Sequence, residues 1–567
     1  MCMRDLGGDS PCRLDSGPVR ACVCGVKLCA GRHGTLSWLR RRASGDAQLS
    51  LLFAVKLAST QKLTSELHAV SDPASPRFGQ HLSKAEADSL VTPDATALEA
   101  VKGFLAQHGL AGTPLGSGEY VSVTVPVAKA EEMLGAEYYT WTAGDATVTR
   151  SLALNLPTAL AGAVDFVSPT TGFPSARTPV PQVAYRGRRL RGLSSSSYVD
   201  DRAAAEVITP SVIGQVYGTA DATTQGNLQG NKVAVAQFLG QFYSPDDLEK
   251  FFQDFVPTAE GRKPTVYGPN DAGNPGVEAS LDIQYAMGVA SHVPTDFFST
   301  PGQQPGSPEN EPFLTWLTKL GGFSDGDLPQ VVSVSYGDNE DTVLFDYAVR
   351  VNVEFQRLGA RGVTFLFSSG DGGVAGSQTT PCTDFIPTFP AASPYVTAVG
   401  GTRRVSATGE VAASLSSGGF SNYWPRPAYQ DEAVAAYKAN MTGQLPPAAH
   451  FNQTGAGFPD VAAFAENFQV VYQGSTIPVA GTSCASPTFA AVLSLVNGAR
   501  MVQGKGSLGW INPWLYKNGH LFTDIVSGNN PGCGSPGFYA SAGWDPITGW
   551  GSPNYNKLVD ALVFDRE

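Results

Sequence analysis

The chain has 567 residues, of which 42% are hydrophobic and only 16% charged. That is ample material for large cores and argues against disorder throughout. A net charge of −12 argues against a nucleic-acid partner, and no run of 18 apolar residues offers a membrane span.

The charge is uneven. Residues 1–200 carry 20 Lys and Arg against 17 Asp and Glu, while the remainder carries 18 against 33. A mildly basic front part and an acidic back part can attract each other. Five of the eight cysteines, Cys2, Cys12, Cys22, Cys24 and Cys29, fall in the first 29 residues. Their spacing is irregular and no His or Cys cluster follows at zinc-finger distance. Residues 1–47 lack a secretory-signal pattern and read as an unassigned leader or a gene-model artefact.

From there the pattern becomes regular. SLLFAVKL (50–57) reads as a strand and 59–72 as a helix opened by a Ser/Thr cap. Helices follow over 83–91 and 94–107, the first with a Ser83/Glu86 capping box. EYVSVTVPV (119–127) alternates as a strand, 127–135 is a short helix, and EYYTWTA and TVTRSLAL are strands. This predicts an α+β domain, ferredoxin-like, over 48–175. Residues 176–202 are rich in Arg and Ser, with a basic run at Arg186–Arg191, and read as an exposed processing linker.

The last part, 203–567, changes character. KVAVAQF (232–238), VVSVSYG (331–337) and GVTFLFSSG (362–370) are nearly continuous β-formers, each ending in a Gly/Ser turn, with helical stretches between. That predicts an α/β domain, a parallel sheet flanked by helices and covered on both faces. Ligands bind such sheets beyond the strand C-termini, so the loops after SVSYG and FLFSSGDGG are candidate site loops.

Three stretches carry chemistry. In GTSCASPTFAAVLSLVNGAR (481–500), Ser483 opens an apolar helix, where free N–H groups favour an anionic intermediate. In GVEASLDIQYAMGVA (276–290), Glu278 and Asp282 are four apart and share a helix face. Two like charges there repel, but a close pair can share one proton, and the surrounding Leu281, Ile283, Tyr285 and Met287 leave little polar face. Asp371, just past the strand FLFS, could hold a proton and donate it to an oxyanion if kept neutral. His33-Gly34-Thr35 in the leader is read as coincidence. His292, His450 and His520 lie in no motif.

Together E-A-S-L-D, S-Y-G-D, S-S-G-D-G-G and G-T-S resemble the sedolisin family of serine-carboxyl peptidases, in its tripeptidyl-peptidase type. SDPASPRFGQHLSKAEADSLVTP (71–93) resembles that family's activation prodomain. EPFLTWL, IPTFPAASPYVTAVGG (386–401) and GWDPITGWGSPN (543–554) resemble its catalytic domain. The resemblance covers about 48–560 and implies a subtilisin-like fold for 203–567. It also implies Ser483 as nucleophile, Glu278 as general base, Asp282 as its carboxylate partner and Asp371 as the oxyanion acid. A Glu base suits acid: at pH 4 an ordinary Glu is about one-third ionised, whereas a His is unprotonated only about 0.3% of the time.

The resemblance further implies one calcium ion, held by the side chains of Asp524 and Asp545 and the carbonyls of Ile525, Ser541 and Gly543. Ser541 stands where the family commonly has Gly. Cys382 and Cys533 are implied as a disulfide and Cys484 as a small buried residue, which fits a secreted chain, or a vacuolar or lysosomal one. Asn440 and Asn452 head sequons. The expected partners are peptide or unfolded protein substrates and the chain's own prodomain as an intramolecular inhibitor. The enzyme is expected to be a monomer with no nucleic-acid or membrane partner. Release of N-terminal tripeptides is expected, with endopeptidase action or peptide binding without cleavage as the alternatives.

Overall fold

The computed structural model describes residues 39–143, 146–171, 182–183, 207–222, 230–302, 311–376, 382–406 and 409–565. They divide into two units.

In the first unit, the strand Gln48–Val55 alternates exposed and buried residues before turning fully inward. It sits inside a four-stranded antiparallel sheet of order Thr113–Leu115, Tyr120–Pro126, Gln48–Val55, Val164–Ser168. The helices Ala95–Gln107 and Val127–Leu134 fall between these strands in sequence, which is the ferredoxin-like arrangement. Leu51, Phe53 and Val55 share one core with Val101, Phe104, Val123, Met133 and Leu134. A second sheet pairs Leu39–Arg42, Tyr138–Ala143 and Ala146–Ser151.

Residues 59–91 cluster with the second unit. The helices Gln61–Ser71 and Lys84–Ser89 both pack on the helix Phe345–Ala360. Leu67 is buried with Ala360 and Trp510. The Thr64 hydroxyl donates to Gln356 at 2.6 Å, and Arg357 meets Asp88 at 3.3 Å. His81 Nε2 lies 2.9 Å from the Ser507 carbonyl, and Lys517 bonds Asp72 at 2.6 Å. The Ser83/Glu86 capping box is present, whereas Thr60 at the start of the preceding helix makes no side-chain cap.

The second unit is built on the expected parallel sheet. Its order is Thr265–Tyr267, Thr295–Ser299, Val233–Gln237, Val331–Val334, Thr364–Ser368, Thr397–Arg404, Glu410–Ala412. Val461–Phe464 also pairs with Thr397–Arg404, in parallel, and only Glu410–Ala412 runs antiparallel. Every residue of Val233–Gln237, Val331–Val334 and Thr364–Ser368 is buried, as a sheet covered on both faces requires. These three strands are direct neighbours, so their C-terminal loops open at one place. The helices Val277–Val289 and Thr482–Val502 pack on each other, and the second also packs across the sheet.

Two readings of the connecting segment and cysteines are settled. Gln182–Val183, inside the expected linker, forms a short strand antiparallel to Ser475–Ala480, pairing Gln182 with Ala480. The remainder of 176–202, and residues 1–38 with their five cysteines and His33, lie outside the described residues. Cys382 and Cys533 are bonded, with an S–S distance of 2.03 Å, and Cys484 is free and buried. Among the described residues no helix is long and apolar enough to cross a membrane.

Candidate active site

Ser483 is the second residue of a 21-residue helix. Gly481 caps it with φ 153° and ψ 160°, and a Cβ there would sit 2.7 Å from Asp371 Oδ2. Only glycine suits both the conformation and the close approach. The hairpin Phe468–Tyr472/Ser475–Ala480 delivers the chain to this turn. Pro487 lies inside the helix and has no N–H to return to the Ser483 carbonyl, which leaves that oxygen free for another donor.

Glu278 and Asp282 face this point from the helix Val277–Val289. Neither is a surface carboxylate: they are 4% and 0% exposed. Asp282 Oδ1 accepts from the Ser335 hydroxyl at 2.7 Å and Oδ2 from the Gln237 amide at 2.7 Å. Glu278 interacts with the Ser483 and Ser335 hydroxyls. Its Oε1 is buried without a hydrogen-bond partner, an acceptor still open.

Burial raises the Glu278 carboxyl well above the ordinary range. Neighbouring Asp282 adds to this, the Ser483 hydroxyl opposes it, and Asp371 adds further. Burial likewise pushes Asp282 up to about 7, against the opposing Ser335 and Gln237 hydrogen bonds. The one-third ionisation expected of an ordinary Glu at pH 4 therefore does not carry over. Two buried like charges cannot both stay ionised cheaply, so the pair favours sharing one proton.

Asp371 occupies the loop after Thr364–Ser368, as its position past a buried strand predicts. Its Oδ1 accepts from the Thr482 N–H at 2.7 Å and from the Thr482 hydroxyl at 2.8 Å. Oδ2 is thus the oxygen left to carry a proton. Burial raises this carboxyl too, against the two Thr482 bonds. The structure brings Ser483, Glu278, Asp282 and Asp371 together. The back-part histidines have other company: His292 lies against Arg262, and His450 against Asp384 and Phe385.

Ser335, Gln237 and Thr482 were not singled out from the sequence. The signal was there for two of them. Gln237 is the one amide in the apolar run KVAVAQF, and Ser335 lies in SVSYG, the run that leads into a marked site loop.

The five residues expected to hold a metal lie on two loops joined by a hydrogen bond. Asp545 is fully buried, and its carboxylate accepts from Ile547 N, Thr548 N and Ser541 N at 2.9–3.1 Å. Asp524 lies at the surface, and its Oδ2 accepts from Gly543 N at 2.8 Å, tying the two loops together. The Ile525, Ser541 and Gly543 carbonyls belong to these same loops. Burial raises both carboxyls, Asp545 to about 7. Among the described residues no cluster of three or more His, Cys, Asp or Glu is placed to hold a metal. The donors here are two carboxylates and backbone carbonyls, an all-oxygen set that fits a hard cation.

The chain has clear relatives. Residues 37–173 match the pro-kumamolisin activation domain. Bovine tripeptidyl-peptidase 1 (Bos taurus) is 38% identical over 545 residues, covering 92% of this chain and 93% of that one. The human protein (Homo sapiens) is 37% identical over the same shares. Among solved structures, Pseudomonas sedolisin, a serine-carboxyl proteinase complexed with two molecules of pseudo-iodotyrostatin, aligns with TM-score 0.49 and 23% identity. That alignment covers 63% of this chain and 98% of that one. By its identity and coverage, the chain belongs to the tripeptidyl-peptidase 1 family of serine-type peptidases, made as a zymogen with an activation domain.

Proposed function

We propose that the enzyme works in acid through an acyl-enzyme on Ser483 and releases tripeptides from free peptide N-termini. The observation that supports this reading is the buried Glu278 carboxyl, which interacts with the Ser483 hydroxyl and has Asp282 as its neighbour. The Ser483 Oγ attacks the scissile carbonyl carbon as its proton passes to Glu278. The negative charge of Asp282, held by its two donors, raises the proton affinity of Glu278. The oxyanion forms near Asp371 Oδ2, which donates its proton as a hydrogen bond, and near the free N–H groups of the Ser483 helix. Collapse expels the amine, which takes the proton from Glu278. Water then enters by the same route and frees the acyl group.

The pH dependence follows from the raised carboxyls. Asp371 is a donor only while protonated, so its contribution is lost as pH rises through its elevated pKa. The pair is a base only while one carboxyl is ionised, so activity falls when both take protons. The Asp524 and Asp545 carboxylates with the Ile525, Ser541 and Gly543 carbonyls would hold one calcium ion. Bound there, it would supply positive charge to the two loops and no chemistry at Ser483. The disulfide Cys382–Cys533 supports an oxidising destination, secreted or lysosomal.

One experiment tests the reaction and its specificity. A long peptide with a free N-terminus and its acetylated twin are digested at pH 4 and the products weighed by mass spectrometry. Tripeptides from the free form alone are expected. Internal fragments from both would make it an endopeptidase, and turnover equal in Ser483→Ala would end the serine mechanism.

A further inference from the structure

Behind Asp282 lies a chain of buried side chains that the reaction above does not use. The Tyr336 hydroxyl donates to Gln237 Oε1 at 2.8 Å, and Gln237 Nε2 donates to Asp282 Oδ2 at 2.7 Å. On the other oxygen, the Ser335 hydroxyl donates to Asp282 Oδ1 at 2.7 Å. It also lies 3.4 Å from the Ser483 carbonyl that Pro487 leaves without a helical donor. Ser335 in addition touches Glu278. Gln237 is fully buried, and Ser335 and Tyr336 are nearly so.

We propose that Ser335, Gln237 and Tyr336 are positioning residues that keep Asp282 the ionised member of the pair, so that the proton from Ser483 lands on Glu278. This rests on the serine-carboxyl reading above. A side-chain amide can be turned either way. Here the phenol occupies the amide oxygen, which turns the NH2 toward Asp282. The polarity then runs one way: phenol to amide oxygen, amide N–H to carboxylate. Ser335 acts at the other end, where one hydroxyl meets Asp282, Glu278 and the nucleophile's own backbone. It ties the strand Val331–Val334 to both catalytic helices at their point of closest use.

Other charges about the pair are few. Asp371 approaches from the loop after Thr364–Ser368, and Cys484 from the Ser483 helix. Tyr336 feels Glu278, Asp282 and Glu311. The named neighbours are acids or weak acids, so donors from Ser335 and Gln237 are what favours a charged Asp282. Removing a donor makes the pair take up its protons at higher pH.

The test is the pH profile of kcat/KM for the full chain after acid maturation, on an N-terminally free peptide. Ser335→Ala should move the acid limb to higher pH by about half a unit or more. Tyr336→Phe should move it the same way by less, and Ser335→Thr should restore it. A purely structural role would lower the profile at every pH without moving its limb. A limb left in place in a folded Ser335→Ala overturns the proposal. Should that variant lose its native near-ultraviolet circular dichroism, Tyr336→Phe and Gln237→Leu carry the same test, and unmoved limbs in both overturn it. An active Ser483→Ala control would instead overturn the underlying serine mechanism, so the two failures are distinct.

Discussion

Two sets of carboxylates in the same unit, Glu278 with Asp282 and Asp524 with Asp545, have surroundings that differ in kind. Asp545 is wrapped by the N–H groups of its own turn, and Asp524 is tied to Gly543 across to the neighbouring loop. Glu278 and Asp282 are met by side-chain hydroxyls and an amide drawn from the ends of two separate strands and a helix, and one Glu278 oxygen is left open. Donors fixed in a turn, with the Thr548 hydroxyl among them, oppose the rise that burial gives Asp545 and favour its charged form. Side-chain donors with an unfilled acceptor favour a group that changes state. On the proposed reading, Asp524 and Asp545 would hold a cation, and Glu278 and Asp282 would move a proton.

Replacing single members should break this contrast first at the reacting atoms. Ser483→Ala should lower kcat by about 10⁴-fold or more, and Glu278→Gln by a similar order, since such groups act as a unit. Asp545→Asn should leave kcat within a few-fold at temperatures where the variant is folded. Comparable losses at both pairs, measured by progress curves at pH 4 on folded protein, would erase the distinction.

Asp371 sharpens it at a second level. Asp371→Ala should cost about 10²–10³-fold in kcat, the usual cost of one oxyanion donor. Asp371→Asn keeps a donor that cannot ionise. Its folded pKa is raised in the native protein, so the native donor is present below that value and lost above it. The Asn variant should therefore hold a larger share of its peak activity toward neutral pH. A profile that declines toward neutrality as the native one does would assign the neutral limb to Glu278 and Asp282 alone.

Much of the site is legible in the sequence. Glu278 and Asp282 stood out because a like-charged i, i+4 pair in an otherwise apolar helix is unfavourable unless used. Asp371 stood out because buried parallel strands end where ligands bind. Gln237 and Ser335 give only a positional signal, because one polar residue at the end of an apolar run has no periodicity to betray its partner. The place of 59–91 was hidden for another reason. Helical spacing predicts that Leu63, Leu67 and Val70 are buried, but not which unit covers them. Gln182–Val183 pairs through its backbone, which leaves no mark in composition.

Stability should respond to the other pair. Asp545→Ala removes the acceptor for the buried Ile547, Thr548 and Ser541 N–H groups. At about 1–3 kcal/mol per orphaned group, a loss of about 3 kcal/mol or more in urea unfolding is expected. An unchanged midpoint would mean that the turn finds other acceptors and that the two pairs differ less than their geometry implies.

The smallest effect belongs to the cation itself. A ligand at 100 times its Kd stabilises the folded state by about 2.7 kcal/mol, so chelation should lower the melting temperature by several degrees. Added calcium should restore it, whereas magnesium, which dehydrates reluctantly and demands a tighter octahedron, should restore it poorly. Asp524→Asn should abolish the calcium response while leaving Ser483 reactive toward a fluorophosphonate at low temperature. The surface position of Asp524 makes this the more informative variant, because its side chain supports no buried turn. A melting temperature indifferent to verified metal removal would leave Asp545 as a turn-closing carboxylate only. A fluorophosphonate rate that fell with chelation at a temperature of full folding would mean the opposite, that the two pairs are coupled and the division between holding charge and moving protons is incomplete.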